Sequence, residues 1–405
     1  MFRKKKEFTS TSLNALVWKR FKKNKMAVVS LFVIFFFVLI AILGYLITPD
    51  QTPYTNQQYL ELNTLKPGSK TTFLHVTENK TRKKVSVLEK MLFGKPLPYY
   101  AYPVHSYRMD DDRITIETRT GATPNDGDTV SFQLIDVCFP LDISYISRRS
   151  GNLVYYKEIG KPADSIEVAK LQQLAEKKFI KTKTFWFGTD RYGRDVLSQL
   201  MIGTRVSLSV GLIAVAISLL IGITLGALAA YYGKWVDTVI VWFINVVWSI
   251  PTILLVIAIT FALGKGFWQV FIAVGLTMWV DVARLVRGQI MSIKEKEYVE
   301  AAKALGFKPF RIIFKHILPN IMGAVIVITA SNFASAILLE AGLSFLGIGV
   351  QPPMPSWGMM IKENYPYIIL DAAYLAFLPG IAIMILVLAF MLIGNGIRSA
   401  LDTKS

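Results

Sequence analysis

Residues 294–306 read Lys-Glu-Lys-Glu-Tyr-Val-Glu-Ala-Ala-Lys-Ala-Leu-Gly, and 307–319 follow as Phe-Lys-Pro-Phe-Arg-Ile-Ile-Phe-Lys-His-Ile-Leu-Pro. Tyr298, Ala301, Ala302 and Leu305 stand at i, i+3, i+4 and i+7 and share one helix face. Gly306 supplies the positive φ that closes a helix, and Pro309 fits the first turn of the next, where its missing N–H costs nothing. The spacing predicts a helical hairpin. Its small alanines admit close backbone approach, and its charged flanks can pair with a partner, as a helix laid in a groove requires. This is recognition chemistry, not bond making.

Few other residues offer reactive chemistry. Cys138 is the single cysteine, which excludes an intrachain disulfide and a cysteine-based metal or redox pair and leaves a buried structural thiol as the simple reading. His75, His105 and His316 are scattered, so no histidine metal cluster is expected. Asp110, Asp111 and Asp112 form a charge run that reads as a solvated face before it reads as a cation site. No Gly-x-x-x-x-Gly-Lys-Ser/Thr loop occurs, and Gly264-Lys265-Gly266 lacks both the spacing and the hydroxyl. The chain is therefore expected to bind no cofactor and to perform no catalysis. Asn245, Asn332 and Glu340 lie in apolar surroundings, where polar groups are costly, and are candidates to line a path through the membrane. Hydrogen bonding between helices is the competing reading for the two asparagines, packing or a protonated hydrogen bond for Glu340.

The elements that position these residues are apolar. Of 405 residues 53% are hydrophobic and 18% charged, a balance that points to lipid as the solvent. The net charge of +17 would suit nucleic acid, but the basic residues cluster beside hydrophobic runs. Arg3 to Lys6 and Lys19 to Lys25 abut an uncharged run from Met26 to Ile47. About 22 residues rise roughly 33 Å as a helix, enough to span, and no cleavage site follows as it would after a signal peptide. Five more stretches follow: Val206 to Ala230, Val236 to Leu263, Phe267 to Val280 extendable to Ile290, Pro319 to Val350, and Ala372 to Ile393. Six spans place both termini in the cytoplasm, and the basic residues between Arg284 and Lys315 agree. Pro319 to Val350 is too long for one span, so a break near Leu338 into a bent or re-entrant segment is expected.

Between the first two spans lie about 140 mostly polar residues, enough for a small folded domain. Arg113 to Cys138 alternates through Ile114, Ile116, Val130, Phe132 and Leu134 around Asn125-Asp126-Gly127, a hairpin pattern. Asp164 with Glu167 reads as a capping box opening a helix through about Lys178, with Val168, Leu171 and Leu174 as its stripe.

At Glu300-Ala301-Ala302, Gly306 and Leu318-Pro319 the chain resembles the permease subunits of ATP-binding-cassette importers, with His316 where the family pattern has a hydrophobic residue. Phe187-Gly188-Thr189-Asp190, Gly193-Arg194-Asp195, Trp279-x-Asp281-x-Ala283-Arg284-x-Val286-Arg287-Gly288-Gln289, Leu343-Ser344-Phe345-Leu346-Gly347 and Pro355-Ser356-Trp357-Gly358 are similar to the C-type permeases of dipeptide and oligopeptide importers. The likeness runs from about Phe187 to Lys404.

It implies an all-α polytopic membrane protein of six transmembrane helices, to which the reading of the N-terminal half adds an inserted extracytoplasmic α+β domain between helices 1 and 2. The expected layout is a basic cytoplasmic segment at 1–25, helix 1 at 26–47, the inserted domain at 48–187, a permease core at 188–398 with a coupling hairpin at about 291–319, and a cytoplasmic tail at 399–405. The resemblance further implies that Glu300, Ala301, Ala302, Gly306, Leu318 and Pro319 couple the chain to separate ATPase subunits, which bind ATP and magnesium. A second homologous permease, two ATPases, an extracytoplasmic solute-binding protein or lipoprotein and membrane lipid are the implied partners, with no nucleic acid. The implied place is a bacterial-type inner membrane.

The same family carries nickel and glutathione, so a peptide solute is the expectation and another small solute the alternative. The chain departs from the family pattern in three ways: the insertion is unusually long, Trp242 and Asn245 precede Pro251 where an arginine and an acid are common, and Asn395 replaces an aspartate. A secondary transporter would need coupling carboxylates and internal repeats, and a membrane-anchored enzyme a nucleophile or a histidine-carboxylate cluster. Neither is legible in this chain.

Overall fold

The computed structural model describes residues 13–81, 85–121, 123, 126–264 and 266–401. Arg3 to Glu7, Asn125, Lys265 and the tail beyond Leu401 lie outside the described residues. The chain divides into two compact units, one holding the residues up to Ala41 with Gly203–Glu363 and the segment from Ala376, the other Ile42–Ile202 with Asn364–Leu375.

Helix α1 (Leu13–Lys23) precedes α2 (Lys25–Leu43), which Gly44–Leu46 prolongs by a tight turn. Phe21 and Ala27 pack with Ile397 and Ala400 from the far end of the chain. Most of α2 exposes apolar side chains, Phe32, Phe35 and Phe36 among them, as a helix in lipid does.

The β-rich unit holds β1 (Ser69–Thr77), α3 (Val87–Phe93), β2 (Tyr99–Asp110), β3 (Arg113–Thr118), β4 (Thr129–Gln133) and α4 (Leu134–Cys138). It continues through β5 (Arg148–Ser150), β6 (Leu153–Lys157), β7 (Ala163–Glu167), α5 (Val168–Leu174) and β8 (Ile180–Phe185). The strands form antiparallel sheets in the orders β4-β3-β2-β1-β8 and β5-β6-β7. Pairing of Ile114 with Phe132 and Ile116 with Val130 realises the expected hairpin. Ile114 and Ile116 are buried with Leu134, Val154, Val168 and Leu171.

The expected capping box does not form. Asp164 belongs to β7, where it pairs with Tyr156, and its carboxylate accepts from Ser165 N at 2.8 Å. The helix opens four residues later, after Glu167, with no side-chain cap. Strand pairing with β6 uses the backbone of residues 163–167 that the box would have bent into a helix.

The remaining helices are α6 (Val196–Tyr232), α7 (Lys234–Trp248), α8 (Thr252–Leu263), α9 (Phe267–Ile293), α10 (Glu297–Ala304), α11 (Pro309–Arg311), α12 (Leu318–Leu346), α13 (Trp357–Asn364) and α14 (Tyr374–Leu401). Among the described residues five stretches are long and apolar enough to cross a bilayer: Lys25–Leu46, Val196–Tyr232, Phe267–Ile293, Pro309–Leu346 and Tyr374–Leu401. Helices α7 and α8 make a sixth if counted as one span, but they meet at 92°. Hydropathy alone counts Val236 to Leu263 as one span. Pro251 lacks an N–H and disfavours helical backbone at Ile250, so the ladder stops there and restarts with Leu254 and Leu255 donating to Pro251 O.

The break expected near Leu338 is absent. Helix α12 runs through Gly342 to Leu346 and ends where Gly347, at φ 82°, lets Ile348 N reach Leu343 O at 2.9 Å. A single interior glycine costs about 1 kcal/mol against alanine, too little to end a helix buried on one side. The irregular backbone lies at the other end. Pro319 has no N–H to give, and the turn before it widens over Ile312–Ile317, with Leu318 N bonding Ile313 O.

Candidate functional site: the hairpin between α9 and α12

The hairpin starts where α9 ends. Lys294 donates its Nζ to Ala230 O at 3.0 Å, tying the turn to the end of α6. Helix α10 has Glu297 and Glu300 in its first turn, where the helix dipole favours negative charge. It closes with Gly306 at φ 74°, Gly306 N on Lys303 O at 2.9 Å and Phe307 N on Ala302 O at 3.2 Å, a Schellman cap. Pro309 stands in the first turn of α11, as its sequence position suggested.

The predicted face divides. Val299 and Ala302 are buried among Ile290, Ile312, Ile313, Ile317 and Ala227, whereas Tyr298, Ala301 and Leu305 face outward. The buried stripe is thus rotated by roughly a quarter turn from the face that Tyr298, Ala301, Ala302 and Leu305 share. Leu305 is 71% exposed and Phe310 70%, and Phe314 lies with its ring 4.3 Å from that of Phe310. Glu300 is exposed, Leu318 half-buried and Pro319 exposed. Phe307 meets the His316 ring, stacked at 5.8 Å, and the Arg311 guanidinium 4.1 Å away. One side of the hairpin is therefore cemented to the helix ends, and the other presents apolar and charged groups to whatever lies beyond.

The hairpin also has a long lever. Pro309–Leu346 is one continuous helical stretch of 38 residues, about 57 Å at 1.5 Å per residue. Two glycines seat α6 against α9, and neither was singled out in the sequence. A Cβ at Gly222 would lie 2.5 Å from Val282 Cβ, and one at Gly226 would lie 2.5 Å from Ala283 O. Their Gly-x-x-x-Gly spacing was the available signal.

The three path candidates separate. Asn332 is buried, with Nδ2 at 3.5 Å from Met278 O, an interhelical contact. Glu340 is fully buried within α12, not in a break, and Oε1 accepts from Ser344 Oγ at 2.7 Å while Ser356 also bonds the carboxyl. Asn245 alone is exposed, and its Oδ1 accepts from Arg284 Nη2 at 2.9 Å, with the Arg284 guanidinium 3.6 Å from the Trp248 ring centroid. Arg287 grips Asp237 with two bonds of 2.6 Å, a pair that joins α7 to α9.

The motif at 187–195 is a knot within the β-rich unit. Asp190 Oδ1 accepts from Tyr192 N and Arg194 N, each at 2.9 Å, and Oδ2 from Arg194 Nε at 2.6 Å. Thr189 Oγ1 donates to Leu62 O and accepts from Leu65 N. Asp195 Oδ1 caps α6 through Ser198 N at 2.9 Å. Among the described residues no group of three or more His, Cys, Asp or Glu side chains could hold a metal ion.

Comparison with known proteins gives a consistent picture. The sequence profile of the binding-protein-dependent transport system inner membrane component matches residues 222–405, and that of the N-terminal TM domain of oligopeptide transport permease C matches 12–67. The chain is 44% identical to the dipeptide transport system permease protein DppC of Alkalihalophilus pseudofirmus over 54% of its own length and 72% of that protein. It is 41% identical to the glutathione transport system permease protein GsiD of Pectobacterium atrosepticum, over 54% and 72%. With the oligopeptide transport system permease protein OppC of Bacillus subtilis the identity is 39%, over 55% and 73%.

Proposed function

We propose that this chain, which belongs to the binding-protein-dependent transport system inner membrane components and among them to the C-type permeases of dipeptide and oligopeptide transporters, forms half of a peptide import pathway and receives its driving force through the 294–319 hairpin. The observation that carries the proposal is the hairpin's division of labour: Val299, Ala302, Ile312, Ile313 and Ile317 fix it to the spans, while Tyr298, Ala301, Leu305, Phe310 and Phe314 stay outside. An exposed apolar surface rimmed by Glu300, Lys303 and Lys308 suits a groove on a separate subunit.

The ATPase is that subunit. The chain holds no phosphate-cradling loop, so ATP and magnesium reside on two partner chains, and a second permease completes the pathway. Nucleotide-dependent contacts at the hairpin shift the access state by linkage, with Pro309–Leu346 carrying the motion into the membrane as one rod. Counted as six spans, with α7 and α8 as one broken span, the chain has both termini and Glu300 in the cytoplasm and the inserted domain outside, facing an extracytoplasmic solute receptor, an orientation that the basic residues between Arg284 and Lys315 support. Of the three path candidates, Asn245, bonded to Arg284, is the one that faces away from the chain's own packing and is left to line the path. The dipeptide and oligopeptide permeases among the relatives favour a peptide, and the glutathione permease keeps a small peptide-like solute as the second reading.

The test is affinity purification of the tagged chain from its native membrane, followed by reconstitution into vesicles. ATPase subunits should copurify and ATP-dependent peptide uptake should follow, with no ATPase activity from the chain alone. Turnover by the isolated chain would overturn the reading.

A further inference from the structure

Helix α3 is short, well capped and turned outward. Ser86 Oγ accepts from Glu89 N at 3.1 Å, Lys90 N bonds Ser86 O at 2.9 Å, and Gly94 N bonds Lys90 O at 2.9 Å. None of its seven residues is buried. Val87 is 71% exposed, Leu88 68% and Phe93 68%, and Leu92 is exposed as well. A helix gains most of its stability from packing an apolar face, and seven residues are too few to persist in water by propensity alone. A contiguous apolar surface of this kind marks a contact site.

The position of α3 identifies the occupant. The helix packs against Gly44–Leu46, the last turn of the apolar stretch Lys25–Leu46. Its far end is stitched to the same place, because Lys95 N donates to Gln51 O at 2.7 Å. Gly94 has no room to drift, since a Cβ there would lie 2.7 Å from Gln51 O. Ile42 and Ile47, beside the turn that α3 touches, are exposed too, so the chain around that turn carries apolar side chains on both elements. Lys90 and Lys95 flank it, with stems long enough to lie along apolar surface and heads able to reach phosphate.

We propose that α3 lies in the bilayer interface as a second membrane anchor, its Val87, Leu88, Leu92 and Phe93 sunk among the acyl chains of the leaflet into which the first span ends. The anchor fixes the inserted domain's β1–β2 connection to the membrane surface. The occupant is phospholipid, not a protein, because the site sits at the depth where the span itself passes from hydrocarbon to headgroup.

The experiment places a nitroxide label on cysteine at Leu88→Cys or, separately, Phe93→Cys in the full chain assembled with its partner subunits in phosphatidylethanolamine–phosphatidylglycerol vesicles. Both sites are exposed and tolerate the change, and Cys138 stays in place because burial shields it and pushes its thiol up to about 12. Collision rates with oxygen, which concentrates in lipid, and with a water-soluble nickel chelate are compared. The expected result is a several-fold excess of oxygen over nickel collisions at positions 88 and 93, with the order reversed at Asp126→Cys in the β3–β4 connection. Nickel access at 88 and 93 equal to that at 126 would overturn the anchor. Shielding from both reagents that vanishes when the partner subunits are removed would assign the surface to a protein and overturn it equally.

Discussion

Two glycines with nearly the same backbone lead different lives. Gly306 in the hairpin has φ 74° and Gly193 in the β-rich unit has φ 72°, and both lie in short motifs that the sequence marks plainly. A Cβ on Gly306 would meet nothing within 4 Å, whereas one on Gly193 would fall 1.7 Å from Tyr59 O. The first glycine sets the direction of a surface element. The second closes a knot in which Asp190, Arg194 and Thr189 spend their polar atoms on the chain's own backbone and on each other. A motif that consumes its own hydrogen bonds serves folding, and one that leaves apolar groups outside serves a partner.

Substitution of the two glycines separates these roles, and the largest effect is expected at the knot. Gly193→Val adds side-chain bulk into Tyr59 O besides the strained φ, a change worth more than about 4 kcal/mol, and the full-length chain should be lost from the membrane. Gly306→Val meets only the backbone penalty, about 1–2 kcal/mol for an ordinary residue and more for a β-branched one, confined to the hairpin. It should reach the membrane at near-normal abundance yet fail to retain ATPase subunits, because a misdirected second arm moves every contact that the outer face makes. Immunoblotting of membranes and of the copurified fraction reads both quantities. Equal loss of abundance in the two variants would erase the distinction drawn here.

A smaller effect is expected in the β-rich unit under acid. The His75 ring stacks on Tyr99 at 3.8 Å, and burial, with Lys181 nearby, lowers its pKa from 6.5 to about 4. The unfolded chain therefore takes up this proton before the folded one does. The stability it contributes is present above pH 6.5 and is lost as pH falls from 6.5 toward about 4. His75→Phe keeps the stack and removes the proton site, so thermal unfolding of the variant should lose part of the acid sensitivity seen in the parent over that window. Smallest of all is Glu300→Ala, an exposed charge on the hairpin rim worth about 0–1 kcal/mol, which should weaken ATPase retention only slightly.

Sequence legibility follows the same division. Gly306 and Pro309 were readable because their requirements are local, a positive φ and a spare N–H. The β3–β4 pairing was readable because the alternation of Ile114 and Ile116 has only one way to bury. Which side of α10 turns inward was not, because helical period gives a shared face and only the neighbours, Ile312 and Ile317, decide where that face points. Asp164 and Glu167 carried a good cap signal that strand pairing with β6 overrode. The end of α12 was not legible, because Gly342 is tolerated within the packed helix and the cap falls only at Gly347. The bend at Pro251 was hidden by the high hydropathy that continues on either side, although the proline was its visible cause.

In the assembled transporter the ATPase subunit should cover the outward face of α10 and the following turn, and Leu305, 71% exposed at the tip, reports on that cover. Leu305→Cys is labelled with a membrane-impermeant maleimide on inside-out vesicles, once with the chain alone and once with the assembled transporter. Rapid labelling of the lone chain and strong protection in the complex is the predicted result. Labelling at the same rate in both would contradict the account, because it would leave the hairpin face bare in the working assembly.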